Sequence, residues 1–233
     1  MSHQLTSLTV LRTLKNYMVA PRKALRLERR EWGKYFCEMK ARRIGLPNLF
    51  RGFSKWTLDP DWADLWNMYT LVKNRNPKIV LEFGSGCSTL VMAQALHDVH
   101  KEVGGEKGTL YSIDESEYWS GQVKKNLPSN LKNYCEMMQR ESDVVEIDGV
   151  KTKYHKNVPN LAPNFVYIDG PLVSEQVNVV GAAVLLEEKA PSDYFVLIDG
   201  LHRTYNFTKS HLKRRYKATR NTVYYYSTFE PIN

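Results

Sequence analysis

Cysteine is scarce in this chain: Cys37, Cys87 and Cys135 are the only three in 233 residues, and no two stand at CxxC spacing. An odd, scattered set excludes a disulfide framework and a cysteine-built zinc site, and points to reduced thiols in a cytoplasm. Long apolar runs are missing as well. None approaches the ~20 residues that span a bilayer, and none near the start has the shape of a signal-peptide core. The expected location is therefore cytoplasmic, with any membrane contact peripheral. Acids are absent before Glu28. Residues 1–55 carry 13 Lys/Arg against Glu28, Glu31 and Glu38, a net of +10, which leaves −2 for the rest of a chain of net +8. A second acid-free basic cluster holds Lys209, Lys213, Arg214, Arg215, Lys217 and Arg220. Such clusters suit nucleic acid, an anionic membrane surface or an acidic substrate, or else form a solvated helical face.

Helical periodicity spans 5–41 and breaks at Pro21, with Leu5, Leu8, Leu11 and Leu14 at three-residue intervals beside Arg12 and Lys15. A basic helical extension over 1–57 is expected, packed on the main domain. An interfacial amphipathic helix, an organelle presequence, a cap on the site and a homodimer contact are the other roles open to it. "GLPNLFRGF" ends this pattern, and a new helix starts behind Asp59 and Pro60 with Trp62, Leu65, Trp66 and Tyr69 on one face. Over 58–233 strand and helix alternate, the pattern of a doubly wound, mostly parallel α/β sheet. Strands are expected at 78–83, 109–113 and 134–138, and helices at 88–103, 117–126 and 174–189. Asp148-Gly149 marks a hairpin. "NFVYIDGP" and "DYFVLIDG" read as buried strands, and two final strands join near Asn221.

In an open parallel sheet, ligands bind beyond the carboxyl ends of the strands. Four such ends are acidic here: Glu82 before Gly84-Ser85-Gly86, Asp114 before Glu115, Asp169 and Asp199. Each alone reads equally well as a tight turn or a helix cap. Together, a glycine turn and an acid ending the next strand form a nucleoside-binding pattern. Gly84 and Gly86 let backbone approach a ligand, Ser88 and Thr89 open a helix with free N–H groups, and the Asp114 carboxylate can accept both ribose hydroxyls. A dinucleotide turn prefers GxGxxG, and "GSGCST" has Thr89 in the third place. Glu82 would repel a pyrophosphate but suits a cationic amine. That disfavours a nicotinamide dehydrogenase and favours S-adenosylmethionine.

"VLEFGSGCSTL", "LYSIDES", "FVYIDGP" and "YFVLIDG" together resemble the class I S-adenosylmethionine-dependent methyltransferase family, over roughly residues 60–230. The resemblance implies a seven-stranded sheet with an antiparallel last strand, supplied by "TVYYYSTFEPI". It implies that Glu82, Gly84, Ser85 and Gly86 line the methionine part, with Asp114 on the ribose. Adenine would lie near Glu115, Ser116 and the loop of Glu141, Ser142 and Asp143, and Asp169 beside the cofactor amine and the reacting centre.

Methyl transfer to a hydroxyl needs the acceptor oxygen held in line and a group to take its proton. Asp169, Asp199 and His202 are the candidates, the histidine because its ordinary pKa is near neutral. Arg203, Tyr205 and Asn206 are expected to bind the acceptor, Arg203 by gripping an anionic group. Some related O-methyltransferases hold Mg²⁺ at these two strand ends, so Asp169 and Asp199 are candidate ligands, although Gly200 stands where a further oxygen ligand is usual. "IDGP" replaces an NPPY-type stretch and disfavours amide or adenine acceptors. The expected acceptor is a hydroxyl on a sugar, a glycan or a small polyhydroxyl metabolite, with Trp56, Trp62 and Trp119 available to stack on it. The rivals are an RNA methyltransferase using the basic arm and a cofactor-binding member without turnover; nucleic acid is the less favoured partner.

Overall fold

The structure, a computed structural model, describes residues 21–53, 60–222 and 224–232. The leucine repeat at 5–14, Trp56 and Asp59 lie outside the described residues. The helices are α1 (Pro21–Arg43), α2 (Trp62–Arg75), α3 (Cys87–Val103), α4 (Glu117–Asn126), α5 (Ala182–Glu187) and α6 (His202–His211). The strands are β1 (Ile79–Phe83), β2 (Thr109–Asp114), β3 (Cys135–Gln139), β4 (Ser142–Ile147), β5 (Val150–His155), β6 (Phe165–Ile168), β7 (Phe195–Asp199), β8 (Tyr216–Asn221) and β9 (Tyr226–Pro231).

β1, β6 and β7 are short apolar runs buried along almost their whole length, as strands covered on both faces must be. Period-2 alternation sorts their side chains into two cores. Val80, Phe165, Tyr167, Phe195 and Leu197 meet Leu65, Met68 and Val72 of α2, Val91 and Leu96 of α3, and Ala41 of α1. Leu81, Phe83, Val166, Ile168, Val196 and Ile198 meet Ala182, Ala183 and Leu186 of α5 on the other face. The aromatic stripe of α2 packs as its spacing predicts: Leu65 and Tyr69 are buried, and Trp62 and Trp66 lean on the same core. The helix is capped by Asp61, whose side chain accepts from the Ala63 N–H at 3.1 Å, two residues later than Asp59.

The seven-stranded sheet has the order β3-β2-β1-β6-β7-β9-β8. β9 runs antiparallel to β7 and β8, and the other pairs are parallel. The chain winds outward from β1 to β3, then crosses back to β6, so the order reverses between β1 and β6. That junction is where an open α/β sheet leaves a crevice. β4 and β5 form a separate hairpin closed by Asp148 and Gly149, both at positive φ (49° and 80°), as an Asp-Gly type I′ turn requires.

One expected element is much shorter than its pattern. Of 174–189, only Ala182–Glu187 is helical. The preceding valines spend their backbone on the hairpin instead: the Lys153 N–H donates to the Val179 carbonyl at 2.7 Å and the Gly181 N–H to the Lys153 carbonyl at 3.0 Å. The Val180 N–H donates to Thr204 Oγ1 at 3.0 Å. A tertiary partner thus outbids the helical ladder for those groups. The second basic cluster is partly structural too. Buried Glu187 accepts the Lys213 and Arg214 N–H groups at 2.7 and 2.8 Å, and the Arg214 guanidinium donates to the carbonyls of Glu187, Ala190 and Pro191.

Candidate functional site

At the β1/β6 junction the two strand-end turns touch. Gly84 sits at φ +94°, and a Cβ there would meet the Gly170 nitrogen at 3.1 Å; a Cβ on Gly170 would meet the Gly84 Cα at 3.2 Å. Gly84 is therefore a packing glycine, required by both its backbone conformation and its neighbour. Gly86 differs: a Cβ there meets nothing within 4 Å, because the residue lines open space at the start of α3. The turn is both tight and open, with one glycine for each purpose. Asp114 holds it in shape. Its Oδ2 accepts from the Ser85 N–H at 2.5 Å and the Ser85 hydroxyl at 2.7 Å, and its Oδ1 from the Ser116 N–H at 2.6 Å.

The space is a cavity of about 620 Å³. Its floor is the ends of β1, β2, β6 and β7, and one wall is the first turns of α2. Six carboxylates line it, from Asp61, Asp64, Asp114, Glu115, Asp169 and Asp199, and no lysine or arginine does among the described residues. Asp61 is partly neutralised by Lys34, whose Nζ lies 2.7 Å away. Removal from bulk water, then the nearby charges of Asp199 and Asp114, raise the Asp169 carboxyl to about 7. Its side chain opens directly into the cavity, so water there moderates the rise. Burial also raises Asp199 and Asp61 adds to it, opposed by the Tyr167 hydroxyl, which donates to Asp199 Oδ2 at 3.2 Å.

Several of the expected residues lie outside the lining of this space. Glu82 is fully buried and does not line the cavity. Its carboxyl accepts from the Ser88 hydroxyl at 2.5 Å and the Thr89 hydroxyl at 2.7 Å, tying β1 to the first turn of α3, and burial pushes it up to about 8. A neutral, capped carboxyl is no counter-ion for a ligand amine, so Glu82 is a structural clamp. Thr89 is buried with it and accepts from the Gly86 N–H at 3.0 Å. Ser88 reaches both Glu82 and the cavity. Ser142 lies outside the lining and donates to Glu115, which also accepts from the Leu172 N–H at 3.1 Å. His202, Arg203, Tyr205 and Asn206 occupy the first turns of α6, and none of them lines the cavity. His202, Arg203 and Asn206 are exposed, and Tyr205 packs against Phe229. Trp119 is on the wall, whereas Trp62 packs on Phe50. Among the described residues no group of three or more His, Cys, Asp or Glu side chains gathers as a metal site, so the Mg²⁺ expectation finds no support.

Sequence reasoning missed the α2 contribution of Asp61, Asp64 and Met68, and it missed His155. His155 ends β5 with its ring stacked on Phe83 (centroids 5.7 Å apart, planes at 20°), almost wholly buried, with neither ring nitrogen hydrogen-bonded. Burial lowers its pKa, against the pull of Glu115 and Asp114, so the ring is held neutral.

Solved structures share the fold. An S-adenosylhomocysteine-bound methyltransferase from Podospora anserina, PaMTH1, matches with a TM-score of 0.51 at 11% identity, over 76% of this chain and 80% of that one. A methyltransferase from Geobacter sulfurreducens matches with a TM-score of 0.50 at 15% identity, over 85% and 87%. No family model and no curated protein matches the chain. The protein has the class I S-adenosylmethionine-dependent methyltransferase fold, a mostly parallel seven-stranded sheet with helices on both faces.

Proposed function

We propose that this protein transfers a methyl group from S-adenosylmethionine to a hydroxyl of a sugar, a glycan or a small polyhydroxyl metabolite. The observation that carries the reading is Asp169. Its carboxyl opens into the cavity, makes no side-chain hydrogen bond among the described residues, and has its pKa raised from the ordinary carboxylate range toward about 7, where a base both takes and releases protons readily. The residues beside it suit the donor. Asp114 Oδ1, which accepts only from the Ser116 N–H, has room for one ribose hydroxyl, Gly86 leaves room for a ligand at the N-terminus of α3, and the carboxylate walls favour a cation. Bound, S-adenosylmethionine supplies an electrophilic methyl group. The chain's own task is to hold the acceptor oxygen in line, accept its proton at Asp169, and keep Asp199 oriented through Tyr167 for a second hydrogen bond to the acceptor.

Calorimetric titration with S-adenosylhomocysteine and with NAD tests the donor half. The first is expected to bind and the second not. Asp114→Ala should weaken binding by a few kcal/mol, on the order of 1.5–3 per charged hydrogen bond. Transfer of labelled methyl to sugars, glycans, phenols and RNA tests the acceptor half, with Asp169→Asn expected to keep S-adenosylhomocysteine affinity and lose transfer. Binding of neither ligand, or transfer to RNA alone, overturns the reading.

A further inference from the structure

The outward face of α1 is unlike the rest of the surface. Trp32, Tyr35 and Phe36, at i, i+3 and i+4, share one side of the helix and are 61%, 54% and 52% exposed. They pack on one another, Trp32 edge-on to Tyr35 (6.4 Å, 87°) and Tyr35 edge-on to Phe36 (6.0 Å, 66°). Three large rings side by side in water form an apolar knob, of the kind that marks an interaction site. The other side of the helix is occupied: Ala41 is in the core and Lys34 pairs with Asp61. Nine of the 23 residues of α1 are lysine or arginine and three are acids. Lys40 and Arg43, further along, are exposed. The second basic segment arrives at the same place, because Tyr224, in the β8–β9 turn, packs so closely on Gly33 that a Cβ there would collide with its hydroxyl. Lys217 and Arg220 of β8 are exposed on that hairpin.

We propose that α1 docks the protein on an anionic lipid surface, the Trp32–Tyr35–Phe36 knob entering the headgroup boundary, with Lys40 and Arg43 of α1 and Lys217 and Arg220 of β8 meeting the lipid charge. Trp and Tyr favour that boundary, and an amphipathic helix with a cationic flank and an aromatic face lies in it. No helix among the described residues is long and apolar enough to cross a membrane, which agrees with a helix lying on the surface. A single-stranded nucleic acid is the poorer fit, because bases need open ring faces to stack on and here Tyr35 meets both Trp32 and Phe36 edge to face, while Trp32 and Phe36 lie tilted at 32° to each other. The inference stands independently of the methyl-transfer reading.

The full chain is sedimented with vesicles of phosphatidylcholine alone and of phosphatidylcholine with phosphatidylserine. Binding is expected only to the second and should weaken as salt is raised. The triple change Trp32→Ser, Tyr35→Ser, Phe36→Ser should lower partition at least about tenfold, and Lys40→Glu with Arg43→Glu should abolish the preference for phosphatidylserine. Melting temperature should be unchanged in both. Brominated lipid should quench wild-type tryptophan fluorescence on vesicles and quench Trp32→Phe less, a readout that does not depend on the triple variant folding. Absence of binding to anionic vesicles overturns the proposal. So do equal binding of the triple variant, loss of RNA affinity or of a dimer in that variant with lipid binding intact, and quenching unaltered in Trp32→Phe.

Discussion

Glu82 shows what one buried carboxyl does to the stability of the whole chain. Folded, it titrates at about 8 against an ordinary value of 4.5, chiefly because burial penalises the charge, with Asp169 adding to it against three hydroxyl hydrogen bonds. The unfolded chain therefore loses this proton at a lower pH than the folded one. Below about 4.5 both forms are protonated and the residue costs nothing. As pH rises from there to about 8 the unfolded state is progressively favoured, by roughly 1.4 kcal/mol for each pH unit, and above that the penalty is constant. Glu82→Gln keeps the shape without a charge to desolvate: its amide oxygen accepts from one of the Ser88 and Thr89 hydroxyls and its NH2 donates to the other. Thermal melts from about pH 5 to about pH 8 should show a falling stability in the wild type and a flatter line in the variant, which becomes the more stable of the two at the upper end. Parallel lines would mean that Glu82 is ionised in the fold and that a cation reaches it.

The turn between β1 and α3 separates two jobs that "GSG" writes in the same letter. Gly84→Ala puts a Cβ at positive φ against the backbone of Gly170, so it should cost about 1–3 kcal/mol of stability, read as a lowered melting temperature. Gly86→Ala has ordinary extended backbone (φ 174°) and empty surroundings, so its melting temperature should hold while S-adenosylhomocysteine affinity falls, because the new methyl group projects where the ligand would lie. Equal loss of stability in both would contradict the division. Elements of this kind were legible where the determinants are local: the buried strands, the Asp148-Gly149 hairpin, and α4 at 117–126. Residues 174–181 were not, because valines that satisfy a helical pattern are claimed by Lys153 and Thr204, which lie far away in sequence. The candidate site divides the same way. Acids at strand ends marked Asp114, Asp169 and Asp199, but an acid after an apolar run looks the same whether it faces the cavity or folds under a helix, as Glu82 does. His155 left no signal, since what sets it apart is the Phe83 ring beneath it and the missing partners around it.

Charge is segregated at the scale of the molecule. In a chain of net +8, six carboxylates and no described lysine or arginine line the cavity at the β1/β6 junction. Low-dielectric walls focus such a field, and a cleft of one sign raises the local concentration of ligands of the other. The expected grip of Arg203 on an anionic acceptor has no geometry behind it, since Arg203 lies on the exposed start of α6. A neutral or cationic acceptor suits the cleft better. Take a matched pair of acceptors differing only by a carboxylate remote from the reacting hydroxyl. At low salt the neutral one should show the higher kcat/KM, by on the order of tenfold, and the gap should close as salt screens the cleft. The pH dependence adds a sign. With Asp169 as the proposed base, its deprotonation, raised toward about 7, also adds one more negative charge, so the rate on the neutral acceptor should climb through that range while the climb on the anionic one is blunted. If the anionic acceptor is the faster at low salt, and salt slows it, the basic outer surface steers the acceptor and the cleft's field does not select it.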